Sequence, residues 1–203
     1  MSISTYAELK TAIADFLDRD DLTANIDTFI DLAESYHKRD IRIPEMMSRE
    51  SITVNARQIS LPTGFIEPIS FRLLTNPVTV LKQVNLHEMN RNRFEVNGKP
   101  TLFSITGEIE FDKTPDDSYS GEIIFWKEET ALSDANTSNN ILARAPDVYL
   151  YGALVHTAPF LQEDSRIAVW ASLYSQGVRQ LNSSARKSRR SSPQVSRVSG
   201  STP

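Results

Sequence analysis

The chain has 203 residues, a net charge of −4, no cysteine and 39% apolar residues. This length predicts one large domain, or a small domain with an insert, that is able to bury a sizeable core. The absence of cysteine excludes disulfides, thiolate metal sites and cysteine nucleophiles. No apolar run approaches the roughly 20 residues of a membrane span, and the first residues carry no signal-peptide pattern. We therefore expect a soluble, intracellular protein without a membrane partner.

Charge is distributed unevenly along the chain. No acidic residue follows Asp164, and five basic residues lie in the segment 185–203. That segment is therefore +5, and the total of −4 leaves −9 for the residues before it. An acidic body disfavours tight DNA binding, because phosphate contacts need a cationic surface. The basic segment is typical either of an arm for an acidic partner or of a solvated end.

The first segment predicts two helices joined by a short connection. Thr5-Tyr6-Ala7-Glu8 fits a capping box, in which the Thr5 hydroxyl and the Glu8 carboxylate satisfy each other's backbone N–H groups. Apolar residues then recur at helical spacing up to Leu17 and again from about 25 to 41. Pro44 ends the second helix because proline cannot donate the next ladder bond. An αα-hairpin follows from this pattern.

The middle of the chain changes to the alternation that is typical of strands. Short β-rich runs between residues 51 and 126 are separated by turn signals such as Pro62-Thr63-Gly64 and Asn76-Pro77. The run Leu86–Arg91 suggests a single helical turn. These features predict an antiparallel β module of six or seven short strands.

Helical patterning returns at Pro146, since proline is favoured in a first helical turn. A nearly all-apolar helix is followed by a long amphipathic one, and the residues from Lys187 on are too polar to build a core. The predicted fold is α+β: a bundle of four helices from two hairpins with an inserted antiparallel β module. The corresponding domains are 1–47 with 141–184 for the bundle, 48–140 for the β domain, and 185–203 for an extended basic C-terminal arm.

No catalytic or metal-binding pattern emerges from the sequence. Glu34-x-x-His37 has the spacing of half a dimetal carboxylate site, but no second Glu-x-x-His occurs. The acidic residues Asp112, Asp116 and Asp117 lack the order of a calcium loop. Neither a glycine-rich phosphate loop nor a Gly-x-Ser-x-Gly motif is present. We therefore predict a protein that is not an enzyme and has no cofactor or metal.

Several aromatic side chains stand at helical spacing on the predicted helices. This spacing is typical of core packing, although in an oligomer such residues can face a neighbouring subunit instead. The candidates for an oligomer interface are Tyr36, His37, Tyr149, Trp170 and Tyr174.

From Thr5 to about Asn182 the chain resembles the tailed-bacteriophage head–tail adaptors, or head-to-tail connectors of the tail tubular protein A type. The most specific block is Asp147-Val148-Tyr149-Leu150-Tyr151-Gly152-Ala153-Leu154, which runs through Ala158-Pro159-Phe160-Leu161 into Ala168-Val169-Trp170. Earlier matching pieces are Tyr6–Lys10, Ala14–Leu17, Ile26–Glu34, Leu61–Phe65 and Phe71–Leu74. Ala145 departs from the family pattern, which commonly has a histidine before the proline-aspartate pair.

The resemblance implies a structural protein of the virion neck that is assembled in the host cytoplasm. Similar proteins form a dodecameric ring beneath the portal, pass DNA through the lumen and offer a platform to a tail nozzle or tail tube protein. Their C-terminal segment docks on the portal, which makes the following residues candidates for portal binding: Arg186, Lys187, Arg189, Arg190, Pro193, Val195, Arg197 and Val198. The alternative is a small DNA-binding or packaging accessory protein that uses the basic tail.

Overall fold

A computed structural model describes residues 3–91, 96–161 and 165–189. These residues divide into two compact units. The helical unit comprises the residues up to Ile43 and those from Leu132 onward, and the sheet unit comprises Pro44–Ala131. The described residues form six α-helices: α1 Tyr6–Leu17, α2 Ile26–Asp40, α3 Leu86–Arg91, α4 Asn140–Arg144, α5 Pro146–Val155 and α6 Arg166–Arg189. They also form seven strands: β1 Met47–Val54, β2 Gln58–Ile59, β3 Phe65–Leu73, β4 Thr79–Gln83, β5 Leu102–Ile105, β6 Ile109–Phe111 and β7 Tyr119–Lys127.

The capping box predicted at the start of α1 is confirmed. The backbone N–H of Glu8 donates to Thr5 Oγ1 at 3.3 Å, and that of Thr5 donates to Glu8 Oε2 at 3.0 Å. At the other end Asp18 takes a left-handed conformation with φ 51°, and its N–H donates to the Ala14 carbonyl. This geometry stops α1 and turns the chain towards α2 through a 3₁₀ segment, Asp20–Asn25.

The α5 helix is the centre of the helical unit. It begins at Pro146, as predicted, and packs against α1, α2, α4 and α6. Contact on so many sides explains why α5 is apolar almost all round instead of having a single apolar stripe. At Gly152 an added Cβ would lie 3.2 Å from both Ala33 Cβ and Tyr174 Cε2, so the absence of a side chain lets α2 and α6 approach α5 closely.

The sheet unit holds one seven-stranded sheet in the order β1-β7-β3-β4-β5-β6-β2. Neighbouring strands are antiparallel except β4 and β5, which run parallel with Lys82 opposite Leu102. Its core is a cluster of buried apolar side chains: Val54, Phe71, Leu73, Leu81, Phe103, Ile109, Phe111, Ile123 and Phe125. Gly121 of β7 lies beneath Phe71, where an added Cβ would be 2.9 Å from Phe71 Cε2.

The predicted fold class is wrong in its architecture. The protein is α+β, but it is not a bundle of four helices carrying a small antiparallel module. Helix α4 is an additional element of the helical unit. Helix α3 belongs to the sheet unit and, along the chain, connects the parallel strands β4 and β5. A helix between adjacent strands allows them to run in the same direction, which a short turn does not.

The extended C-terminal arm is also wrong for its first residues. Helix α6 continues to Arg189, and Ala185 is completely buried. The first five residues of the predicted arm therefore belong to the helical unit. Residues 190–203 lie outside the described residues. Among the helices that the structure describes, none combines the length and apolarity needed to cross a membrane.

Candidate functional site

Four of the five predicted interface residues lie inside the helical unit. His37, Tyr149, Trp170 and Tyr174 are all buried, whereas Tyr36 is 37% exposed. Three of them form one group: the rings of His37 and Tyr149 are 4.5 Å apart edge to face, and those of His37 and Tyr174 are stacked at 6.0 Å. Tyr36 instead packs edge to face on His156 at 4.6 Å and presents part of its side chain to the surface.

A buried carboxylate organises the helices around this group. Glu34 Oε1 accepts a hydrogen bond from the Leu132 backbone N–H at 2.8 Å and another from the Tyr149 hydroxyl at 3.1 Å. The Asn139 amide in turn donates to the Tyr149 hydroxyl at 2.6 Å. Burial raises the pKa of Glu34, although both hydrogen bonds oppose the change. The network joins α2, α5 and the loop before α4.

His37 has an apolar environment. Neither ring nitrogen forms a well-aligned hydrogen bond within the described residues. Burial lowers its pKa to about 4, against the opposing influence of the Val148 carbonyl. Neutral His37 therefore acts as an aromatic spacer between Tyr149 and Tyr174. The Glu34-x-x-His37 spacing belongs to this packing, and the described residues contain no group of three or more potential metal ligands.

One exposed edge of α2 is aromatic and basic. Leu32 and Tyr36 are 43% and 37% exposed, and the Arg39 guanidinium lies 4.4 Å above the Tyr36 ring. Phe160 is also 42% exposed, and its ring lies 5.4 Å from that of buried Phe29 of α2. We call Leu32, Tyr36 and Arg39 the aromatic–basic edge. Arginine and large aromatic side chains are the residues most enriched in protein interfaces.

The other exposed edge of α2 is acidic. Asp27 and Asp31 lie one helical turn apart, and Lys10 pairs with Asp27 at 3.0 Å. Burial raises the pKa of Tyr6, and the carboxylates of Asp27, Asp31 and Asp134 raise it further. The loop that contains Asp134 is held at the start of α1, where the Tyr6 backbone N–H donates to the Thr137 carbonyl at 2.7 Å, so the three carboxylates lie near the Tyr6 side chain. We call Asp27, Asp31 and Asp134 the acidic edge.

The end of α6 is basic. Arg186 and Lys187 are exposed, and Arg189 is the last residue of the helix. Arg190, Pro193, Val195, Arg197 and Val198 lie outside the described residues. Cations in a last helical turn interact favourably with the partial negative charge of the helix C-terminus. Part of the basic segment therefore has a local role in stabilising α6.

An open cleft of about 290 Å³ lies between α6 and the start of α5. Its lining residues are Arg144, Ala145, Asp147, Gly177, Gln180, Leu181 and Ser184. Sequence reasoning missed this cleft, together with Leu32 and Phe160. Exposed residues of this kind have no periodic signal, because helical periodicity reports only the buried face.

Comparison with known proteins agrees with this picture. A family model described as SU10 adaptor protein matches residues 4–197. No curated protein sequence matches the chain. The family is one of phage head–tail adaptors, which confirms the resemblance drawn from the motifs around Tyr6, Ile26 and Asp147. The chain therefore belongs to the SU10 adaptor protein family, whose members are structural components of the phage virion.

Proposed function

We propose that the protein is the subunit of a ring beneath the phage portal, which joins the capsid to the tail and lets DNA pass. The ring is a dodecamer, and its distal face meets a tail nozzle or tail tube protein. Subunits are made and assembled in the host cytoplasm. Family membership supports the adaptor role. The separation of charge along the chain supports a basic segment that docks on the portal and an acidic body that lets DNA pass.

The observation that carries the portal assignment is the basic end of α6. The 24 residues of this helix contain no acidic side chain. Buried Leu181 and Ala185 fix the last turns of α6 to the helical unit. Any contact that residues 190–203 make with the portal therefore starts from a fixed helix end, which limits where they can dock.

Charge alone does not explain docking. Exposed ion pairs contribute only about 0–1 kcal/mol each. We therefore assign the apolar contacts to Val195 and Val198, and charge-assisted bonds to portal carboxylates to Arg186, Arg189 and Arg190. The −9 body suits a channel for DNA, because a negative lumen does not retain phosphate.

We also propose that the protein catalyses no reaction. In the helical unit, buried Glu34 accepts two hydrogen bonds from its own chain, and His37 is enclosed by aromatic rings. A carboxylate and an imidazole that are enclosed in this way cannot reach a substrate.

Co-sedimentation with purified portal rings tests the proposal. A chain truncated after Arg189 keeps all of α6, so loss of its co-sedimentation reports docking by the arm itself. The matched control replaces Arg186, Lys187, Arg189, Arg190 and Arg197 with glutamine in the full chain, and we expect weaker binding with less dependence on salt. Wild-type binding by the truncated chain would refute docking by the arm. Binding of the full chain to any DNA, with a steep salt dependence and no affinity for portals, would establish the alternative of a DNA-binding accessory protein.

A further inference from the structure

The two exposed edges of α2 differ in both charge and polarity. Buried Ile30, Ala33 and His37 turn one face of α2 inward. At 3.6 residues per turn, Asp27 and Asp31 fall along one border of the remaining surface, and Leu32, Tyr36 and Arg39 fall along the other. Both edges are therefore anchored on α2, and Asp134 adds to the acidic edge from the loop before α4.

The aromatic–basic edge contains apolar side chains that are not part of the core. The α2 helix already buries one apolar stripe, and Leu32 and Tyr36 form a second stripe that is exposed to solvent. Tyr36 is held in place, because the His156 ring lies 4.6 Å away on one side and the Arg39 guanidinium covers another. A tyrosine already fixed in this way loses little side-chain entropy on binding, which favours it as an interface anchor.

The acidic edge has the complementary charge. Lys10 neutralises Asp27, which leaves Asp31 and Asp134 as exposed carboxylates beside it. Opposite potentials across an interface steer association and select its register, whereas two like edges repel each other. Contact between two aromatic–basic edges, or between two acidic edges, is therefore disfavoured.

We propose that a second copy of this chain covers the aromatic–basic edge, and that it does so with its acidic edge. Arg39 of one copy then faces Asp31 and Asp134 of the next, around Tyr36 and Leu32 at the centre. Such a contact joins unlike surfaces, so each copy keeps one edge open for a further neighbour, and the assembly is a ring when the rotation between copies closes. The inference rests on the proposed ring and names the surfaces that build it.

A charge swap in the full-length chain tests this pairing. Arg39→Glu alone places like charges together, as does Asp31→Arg alone, and we expect each to raise the concentration needed for half-assembly at least about tenfold. The double variant Arg39→Glu/Asp31→Arg restores the attraction with the signs reversed and should assemble close to the wild-type level. Tyr36→Ala should weaken assembly in the same direction, and no charge swap should rescue it.

Two controls carry the same charge changes elsewhere. Arg179→Glu on α6 and Glu108→Arg at the turn between β5 and β6 are exposed positions outside both edges. Analytical ultracentrifugation and negative-stain images, with and without purified portal rings, report assembly, and thermal unfolding checks each fold. If the wild type forms no ring under either condition, the proposed ring and these edges both fail. If the wild type forms rings and Arg39→Glu assembles equally well, or if the double variant is no better than the single ones, the edge pairing is refuted while the ring stands.

Discussion

Replacing Glu34 separates the two roles that a buried carboxylate can have, as an acceptor and as a charge. Glu34→Leu removes the acceptor for the Leu132 N–H and for the Tyr149 hydroxyl. Glu34→Gln keeps an acceptor oxygen of the same reach but carries no charge. The two variants therefore differ mainly in whether the donors from the loop and from α5 stay satisfied.

The expected cost of Glu34→Leu follows from its two partners. A buried donor left without an acceptor costs about 1–3 kcal/mol. The backbone N–H of Leu132 loses its partner completely, whereas the Tyr149 hydroxyl still accepts from Asn139. We expect a loss of about 2–4 kcal/mol in the free energy of unfolding of the helical unit. For a chain of this size the midpoint of thermal unfolding then falls by about 5–15 °C.

Glu34→Gln should cost little, and its effect should depend on pH in a defined direction. The pKa of Glu34 is higher in the folded protein than its ordinary value of 4.5. The unfolded chain therefore loses this proton first as the pH rises, so the wild type loses stability between 4.5 and the folded pKa. The stability of Glu34→Gln relative to wild type should consequently increase from acid to neutral pH.

Chemical unfolding monitored by circular dichroism, at pH values from 4 to 8, measures both effects. Tyr149→Phe is the companion variant, because it removes one donor while Glu34 keeps its bond to Leu132. If Glu34→Gln costs as much as Glu34→Leu, the negative charge stabilises the unit, and the hydrogen-bond reasoning is wrong. A relative stability of Glu34→Gln that falls with rising pH would contradict the direction of the pKa change.

Three further predictions concern other elements. The pKa of His37 is lowered to about 4 in the folded protein, so the free energy of unfolding of the wild type should fall by up to about 3 kcal/mol as the pH drops from 6.5 towards 4. In thermal unfolding at several pH values, His37→Phe should remove this part of the pH dependence. Gly121→Ala should cost about 1–3 kcal/mol in denaturant unfolding because its Cβ meets a core ring, whereas Gly98→Ala meets only the flexible end of a lysine and should cost far less. Deleting 190–203 should leave the melting temperature unchanged, whereas deleting 185–203 should lower it, because it removes a completely buried alanine; equal melting temperatures would contradict this placement.

Local signals in the sequence identified where α1 and α5 begin. The capping box at Thr5 and the proline at the start of α5 act within a few residues of themselves, so their chemistry is visible in the sequence. The parallel pairing of β4 with β5 was not visible. Alternation of apolar residues is the same in parallel and antiparallel strands, and only the helix α3 between them indicates the direction.

The candidate surfaces were predicted only in part. Helical spacing indicated Tyr36, His37, Tyr149, Trp170 and Tyr174 as interface candidates, but it could not distinguish exposed Tyr36 from the four buried side chains, and their place in an oligomer interface stays a prediction. The partners of Glu34 lie about 100 residues away along the chain, beyond any local pattern. The contact between Phe160 and Phe29 is likewise produced only by the tertiary fold.

The helical unit is assembled from the two ends of the chain, which sets an order of events on the ribosome. After Ile41 has been made, about 114 more residues must follow before α5, which packs against both α1 and α2, ends at Val155. At about 5–20 residues per second this takes roughly 6–23 s. During that time α1 and α2 lack the helix that packs on both of them, and the whole sheet unit is synthesised before that helix is. The sheet unit can therefore fold first, while the nascent N-terminal hairpin is a natural client for a chaperone.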